Sequence, residues 1–377
     1  MKLIIEPTDG VTPLLSAIKN AKKSVDIAIF RFDRKDVATE LEAAAGRGVK
    51  VTALISFANR GGEQNLRRLE LRFLGAGIIV ARSANDLVRY HGKYILIDRR
   101  ILYMLSFNFT HLDIDHSRGF GIVTTNATWV HEAARLFRAD CTRTKYAPKI
   151  ETFVVSPVNS RKVLGTFLKR AKKELLIYDP RIADKEMLRI LQDRAKAGVK
   201  IRIIGKVDGR PQFEVQKLAG TRLHTRTIVR DRRQAFVGSQ SLRSAELDSR
   251  RELGLIIRDA KAVKRLADTF EQDWESAPKP LDPPQDQPLP VSEKEAEKAV
   301  QVLNKQLDPL AVSVKAAVKK AVAKAGDDVL HDKGVKDTMK KVVKKAVKQA
   351  VKEAVQDAQD AQDVKEAKNE ENDKRGS

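Results

Sequence analysis

Residues 21–51, AKKSVDIAIFRFDRKDVATELEAAAGRGVKV, return 150 positions later as residues 171–201, AKKELLIYDPRIADKEMLRILQDRAKAGVKI, without a gap. The match extends backwards, with Pro7 falling on Pro157 and Ile18 on Leu168. Each copy reads as the same series of elements. A short strand (2–6; 152–156) is followed by a helix (11–22; 160–172) and a strand (24–30; 174–178). A second helix (35–46; 184–196) leads to a strand after Gly48 or Gly198. The helical readings rest on apolar spacing at Val37, Leu41 and Ala44, and at Met187, Leu188 and Leu191. Short apolar runs alternating with helices predict an α/β fold. It would be built of two similar α/β/α halves, 1–150 and 151–276, with mixed, largely parallel sheets packed about a pseudo-twofold axis. Anything both halves present at that axis would form one composite site.

The pattern stops near residue 277. Residues 277–291 are rich in proline and read as an extended linker. Residues 292–377 are rich in Lys, Ala and Val, then in acids and amides, and read as a helical or disordered tail. The apolar stripe Met339, Val342, Val343, Ala346, Val347, Ala350, Val351 and Ala354 has no Leu, Trp or Phe. It suits a solvated helix, weak self-association or adhesion to an anionic surface better than insertion into a membrane.

Composition narrows the function classes. The 377 residues are 42% hydrophobic, enough to fill a core, which excludes wholly disordered and collagen-like readings. A single cysteine, Cys141, excludes an intrachain disulfide framework and fits a reducing compartment. The opening MKLIIEPTDG meets Glu6, Pro7 and Asp9 too early for a secretory signal, and no 18-residue apolar run occurs. The expected location is the cytoplasm, or the inner membrane surface as a peripheral protein. Net charge is +22, and the 20 Lys and Arg of residues 277–377 are nearly balanced by 18 Asp and Glu. The excess therefore sits on the first 276 residues, whose expected partners are polyanions: nucleic acid, an anionic bilayer or phosphate esters.

Two segments carry candidate chemistry. His91-Gly92-Lys93 runs to Asp98 and is followed by Ser106-Phe107-Asn108. His224-Thr225-Arg226 runs to Asp231 and is followed by Gly238-Ser239-Gln240-Ser241. Both read His-x-basic-x4-Asp, with a Ser fifteen residues after the His. On a strand, residues i and i+2 share a face, so imidazole and cation would point together into one pocket. Two such half-sites would set two imidazoles and two cations around one phosphorus, with Ser hydroxyls beneath. One His-x-Lys alone would read as a structural histidine. Its repetition at matching places in a duplication points to catalysis.

The duplicated motif with its trailing Gly-Ser-x-Asn resembles that of the phospholipase D superfamily, over about residues 1–275. The resemblance implies a phosphodiesterase that works without metal or other cofactor through a phosphohistidine. His91 and His224 are the implied catalytic pair, and the first is the implied nucleophile. Lys93 and Arg226 are the implied cations. Ser106, Asn108, Ser239 and Ser241 are the implied phosphate contacts, and Asp98 and Asp231 the structural acids of the motif. Glu252, 28 residues after His224, resembles the acid that fixes the tautomer of a catalytic His. The same position after His91 is Gly119, leaving Asp113 or Asp115 to orient His91. Arg226 for Lys, Ser241 for Asn and Leu105 for Gly depart from the family pattern.

Substrate alternatives stay open between a phospholipid, hydrolysed or transferred, and a nucleic acid, with a non-catalytic anion-binding scaffold as a third class. His111 and His116 beside Asp113 and Asp115 read as a metal site or a polar loop. Gly61-Gly62 reads as a phosphate cradle or a plain turn. Arg60, Arg67, Arg68 and Arg89 are candidates for the mouth of a cleft.

Overall fold

In each half an apolar strand pair, Ser24–Ile29 beside Lys50–Ile55 or Glu174–Ile182 beside Lys200–Val207, buries both of its faces. This sets the layering of a computed structural model that describes residues 1–57, 63–84 and 87–276. The expected linker and tail, 277–377, and Arg60 with Gly61-Gly62 lie outside the described residues. The first half runs β1 Lys2–Glu6, α1 Thr12–Lys19, β2 Ser24–Ile29, α2 Lys35–Gly46, β3 Lys50–Ile55, α3 Glu63–Gly75, β4 Ile79–Arg82, β5 Arg89–Tyr90, β6 Tyr94–Ile97, β7 Ile101–Leu105, α4 His111–Asp115, β8 Ser117–Thr124 and α5 Ala127–Thr142. The second runs β9 Phe153–Val155, α6 Ser160–Lys169, β10 Glu174–Ile182, α7 Lys185–Lys196, β11 Lys200–Val207, β12 Glu214–Gln216, β13 Arg222–Leu223, β14 Arg226–Arg230, β15 Gln234–Gly238, α8 Ser244–Asp248, β16 Arg250–Arg251, β17 Leu253–Ile257 and α9 Ala260–Glu275.

The two sheets have one topology, β1-β8-β7-β6-β2-β3-β4 and β9-β17-β15-β14-β10-β11-β12. Alternate residues of each central strand enter different cores. Val25, Ile27 and Ile29 face the outer helices α1, α2 and α3, whereas Ala28 faces inward. Leu175 and Ile177 likewise face α6 and α7, whereas Leu176 and Tyr178 face inward. The inner faces of both sheets share one core with α5 and α9, so the halves are joined by apolar burial.

The sheets are mixed, but less parallel than expected. Within each half only β2-β3-β4 and β10-β11-β12 pair in parallel, and the other ladders between strands of the same half are antiparallel. The cause is the tail of each motif. Three residues, Asp98–Arg100 or Asp231–Arg233, join β6 to β7 and β14 to β15, too few for the crossover a parallel pair needs. Asp98, Arg99, Asp231 and Arg232 take left-handed backbone angles (φ 50–52°), which Asp and Arg do not advertise as glycine would. From β2 to the motif histidines the repeat offset falls from 150 to 133, because the second half has no counterpart of α3.

The motif acids hold this frame. Asp98 accepts hydrogen bonds from the backbone N–H groups of Lys22, Lys23 and Ser24. Asp231 accepts the same three from Lys172, Lys173 and Glu174. Each clips its hairpin to the start of the neighbouring strand, and neither reaches toward the histidines. Asp98→Ala or Asp231→Ala should lower the free energy of unfolding by about 1–3 kcal/mol in urea titration, leaving any activity of the folded protein within a few-fold of wild type.

Candidate active site

The segments that carry the histidines are bound to the opposite half. β5 pairs in parallel with β16, Arg89 opposite Arg250 and Tyr90 opposite Arg251. β13 pairs in parallel with β8, Arg222 opposite Ser117 and Leu223 opposite Arg118. These are the same residues exchanged by the repeat, a reciprocal clasp about the pseudo-twofold axis. It continues into the motifs: His91 N–H donates to Arg251 C=O (2.7 Å) and His224 N–H to Arg118 C=O (3.2 Å). Within each motif the cation folds back on its own histidine's carbonyl. Lys93 Nζ reaches His91 O at 2.7 Å and Arg226 reaches His224 O at 2.6 Å.

Both halves act on one electrostatic site. Burial, then Lys93 and Arg226, hold His91 well below the ordinary imidazole pKa. Burial, then Arg226, Arg222, Lys93 and His91 itself, do the same to His224. Each imidazole therefore feels the other half's cation and is neutral at pH 7. Lys93, the most buried of the cations, is brought down to about 7, chiefly by burial. The two histidines are only 6% and 8% exposed, so little of either is open to water.

The carboxylates are placed differently from expectation. Glu252 does not serve His224 within its own half. Its Oε2 lies 2.7 Å from Nδ1 of His91, across the clasp, and the carboxyl is wholly buried. The pairing of β16 with β5 puts residue 252 beside residue 91, a relation that spacing along the chain cannot express. Asp113 does not orient His91 either: its Oδ2 is 3.6 Å from Nδ1 of His224, beyond hydrogen-bond distance, and that nitrogen is without a partner among the described residues. Asp115 pairs with Arg34 and His111 on the surface. Gly119, the counterpart of Glu252, leaves no room for an acid, since a Cβ there would stand 2.8 Å from the Phe107 ring. One imidazole is thus fixed by a carboxylate and the other is not.

The Ser and Asn positions also divide. Ser106 Oγ accepts the N–H of Phe120, and Ser239 Oγ accepts that of Leu253, so both hydroxyls brace the backbone of the next strand. Asn108 donates its N–H and its amide to Asp113, and Ser241 donates its N–H to Glu246 and accepts from Arg226 Nε. Four further cations join the site. Arg31 and Arg89 lie over the Phe30 ring at 5.7 and 5.4 Å, and that ring packs edge-on against His91 at 4.6 Å. Arg222 pairs with Asp113, and Arg250 with Glu246 (3.2 Å). The sequence held a signal for two of them, since Arg89 and Arg222 both stand two places before the motif histidine. Arg67 pairs with Glu70, and Arg68 and His116 are exposed. Among the described residues no group of three His, Cys, Asp or Glu could hold a metal ion.

The family of the cardiolipin synthase, PLD-like domain matches residues 14–141 and 164–274, one span in each half. The chain belongs to the phospholipase D superfamily. No curated protein sequence matches it significantly. Among solved structures, it is similar to a polyphosphate kinase from Porphyromonas gingivalis (22% identity, TM-score 0.62). That match covers 81% of this chain and 55% of the kinase, so the chain spans about half of that protein. It is also similar to the phosphatidylserine synthase of Haemophilus influenzae Rd KW20, at 12% identity and TM-score 0.57 over 81% of this chain and 94% of that one. At these identities the likeness to solved structures concerns the fold.

Glu252→Gln keeps the shape of the His91 contact and removes the charge. It should cut kcat on a soluble phosphodiester by roughly 10²–10⁴-fold with little change in KM. Asp113→Asn, beside the unpaired imidazole, should cost less than tenfold. Equal losses would dissolve the distinction between the two histidines.

Proposed function

We propose that this protein is a phosphodiesterase of the phospholipase D type, acting on a phosphatidyl group, with His91 as nucleophile and His224 as general acid and base. The 2.7 Å contact between Glu252 and Nδ1 of His91 carries this assignment. A carboxylate on Nδ1 holds the proton there and leaves Nε2 unprotonated, which is the tautomer a nucleophile needs. Nε2 attacks phosphorus, the N–P bond forms, and the P–O bond to the leaving alcohol breaks as that oxygen takes a proton from His224. Water or a second alcohol then gives its proton to His224 and attacks phosphorus. A new P–O bond forms, and the N–P bond breaks to release His91. Lys93, Arg226, Asn108 and Ser241 hold the phosphoryl oxygens as charge builds on them. The phosphate's own negative charge offsets Lys93, Arg222 and Arg226 and restores to His224 the proton it lacks in the free enzyme. No step calls on a metal ion.

The lipid reading draws support from the family description and from the shared fold of the phosphatidylserine synthase. A nuclease is the second reading. It is favoured by Arg31, Arg89, Arg222 and Arg250 around the motif cations, more positive charge than one phosphodiester balances. Incubation in EDTA with mixed phospholipid vesicles, and separately with a labelled oligonucleotide, separates the two. Release of a head-group alcohol or appearance of phosphatidic acid is expected. Cleavage of the oligonucleotide alone would move the assignment to the nuclease, and inertness toward both and toward a bis-aryl phosphodiester would refute phosphodiester chemistry. His91→Ala and His224→Ala should each lower turnover by about 10⁴-fold or more.

The pH dependence follows from the shifts. Lys93 is charged below about 7 and loses its proton above it, and His224, held below the usual imidazole range, gives up its proton lower still. Both losses act in the same direction as pH rises. The alkaline limb of kcat/KM should therefore begin below pH 7, where His224 loses its proton, and steepen above about 7 as Lys93 loses its own, with the optimum on the acid side. A profile flat to pH 9 would contradict this protonation scheme.

A further inference from the structure

The duplication supplies an internal comparison at the end of the molecule away from the clasp. The hairpin tips, Arg99-Arg100 and Arg232-Arg233, lie about five strand residues beyond the motif cations, roughly 16 Å. Beside each tip runs a helix of 16 residues, α5 or α9, aligned by the same offset of 133. In the second half the helix carries acids at two of its positions, one of which reaches the tip. Glu271 pairs with Arg232, and Asp268 pairs with Lys264 at 2.6 Å. The counterparts of Asp268 and Glu271 in the first half are Arg135 and Arg138, so the sign is reversed at both positions. Arg135 is held by Glu132 at 2.6 Å, and Arg99 has only Asp26 at 3.6 Å. Arg100 and Arg138 are exposed and form no ion pair among the described residues. Between these two banks lies a groove of about 600 Å³, lined by the four arginines, His131 and Thr125 and floored by Ala127, Val130 and Ala134.

From this we infer a second, non-catalytic binding site, built only in the first half, for a phosphate-headed amphiphile. The phosphate sits between Arg100 and Arg138, and an apolar body lies on Ala127, Val130 and Ala134. Arg100 from the hairpin and Arg138 from α5 bring two guanidinium groups without ion-pair partners among the described residues to one groove, which suits a phosphate. The apolar side chains suit an acyl or alkyl chain, and the groove's lining includes no Phe, Tyr or Trp. Its volume matches that of small-molecule sites. The site does not depend on the activity proposed above.

The test is calorimetric titration of the full chain with monomeric dihexanoyl phosphatidic acid. Dihexanoyl phosphatidylcholine, inorganic phosphate and a ten-nucleotide DNA serve as comparisons. Phosphatidic acid should bind at least tenfold more tightly than phosphatidylcholine or inorganic phosphate. R100E/R138E should weaken it at least tenfold, and R233E/K264E on the matching face of the second half should leave it within twofold. Should R100E/R138E fold poorly, R138Q is expected to weaken binding about threefold or more. Turnover of a soluble diester should be unchanged in all three variants. Undetectable binding of phosphatidic acid, equal losses on the two faces, or no loss in R100E/R138E would overturn the site. Equal or tighter binding of the DNA, abolished by the same variant, would overturn the amphiphile and leave a general polyanion surface.

Discussion

The arrangement of the two motif histidines hangs on two short parallel strand pairs, β5 with β16 and β13 with β8. Each is two residues long, and each joins the segment before a motif histidine to the entrance of a strand in the other half. Alone, such pairs would be marginal. They persist because the inner faces of both sheets, with α5 and α9, bury one shared apolar core behind them. The core brings the halves together, and the clasp sets the register that puts Glu252 against His91.

A duplicated fold need not give a symmetric site. The clasp is reciprocal, and the backbone around the two histidines is nearly so, down to the cation that caps each histidine's carbonyl. The symmetry is broken by side chains. Glu252 faces His91, whereas its counterpart Gly119 leaves His224 with no carboxylate within hydrogen-bond reach, and Phe107 fills the room an acid would need. A two-step displacement on phosphorus asks different things of its two imidazoles. One must stay unprotonated at the attacking nitrogen, and the other must exchange a proton. A single buried acid on one side is a simple physical means of dividing those tasks. The same breaking of symmetry recurs at the far end of the molecule, where acids on α9 become arginines on α5.

Burial and charge work together in the cleft. Removing water lowers the pKa of both imidazoles and of Lys93, and the surrounding guanidinium groups push in the same direction. The site is therefore poised for an anion: the charge that a phosphate brings is what the buried cations lack. Glu246 and Asp113 offset part of this field, through Arg250 and Arg222.

The sequence alone determined the duplication, the α/β class and the paired motifs, because those depend on local periodicity and on residues repeated at a fixed offset. It also carried Arg89 and Arg222, visible as Arg-x-His-x-basic in both copies. Chain spacing suggested the wrong partner for Glu252 and a more parallel sheet. Each of these is settled by which strand lies beside which. A carboxylate 28 residues from one histidine meets the other because residues from separate halves become neighbours only when the two sheets pack. The hairpins at Asp98 and Asp231 are hidden for a related reason: their left-handed turns are held by contacts to strands more than fifty residues away, not by glycine. Local chemistry named the groups, and the packing of two sheets on one core chose their partners.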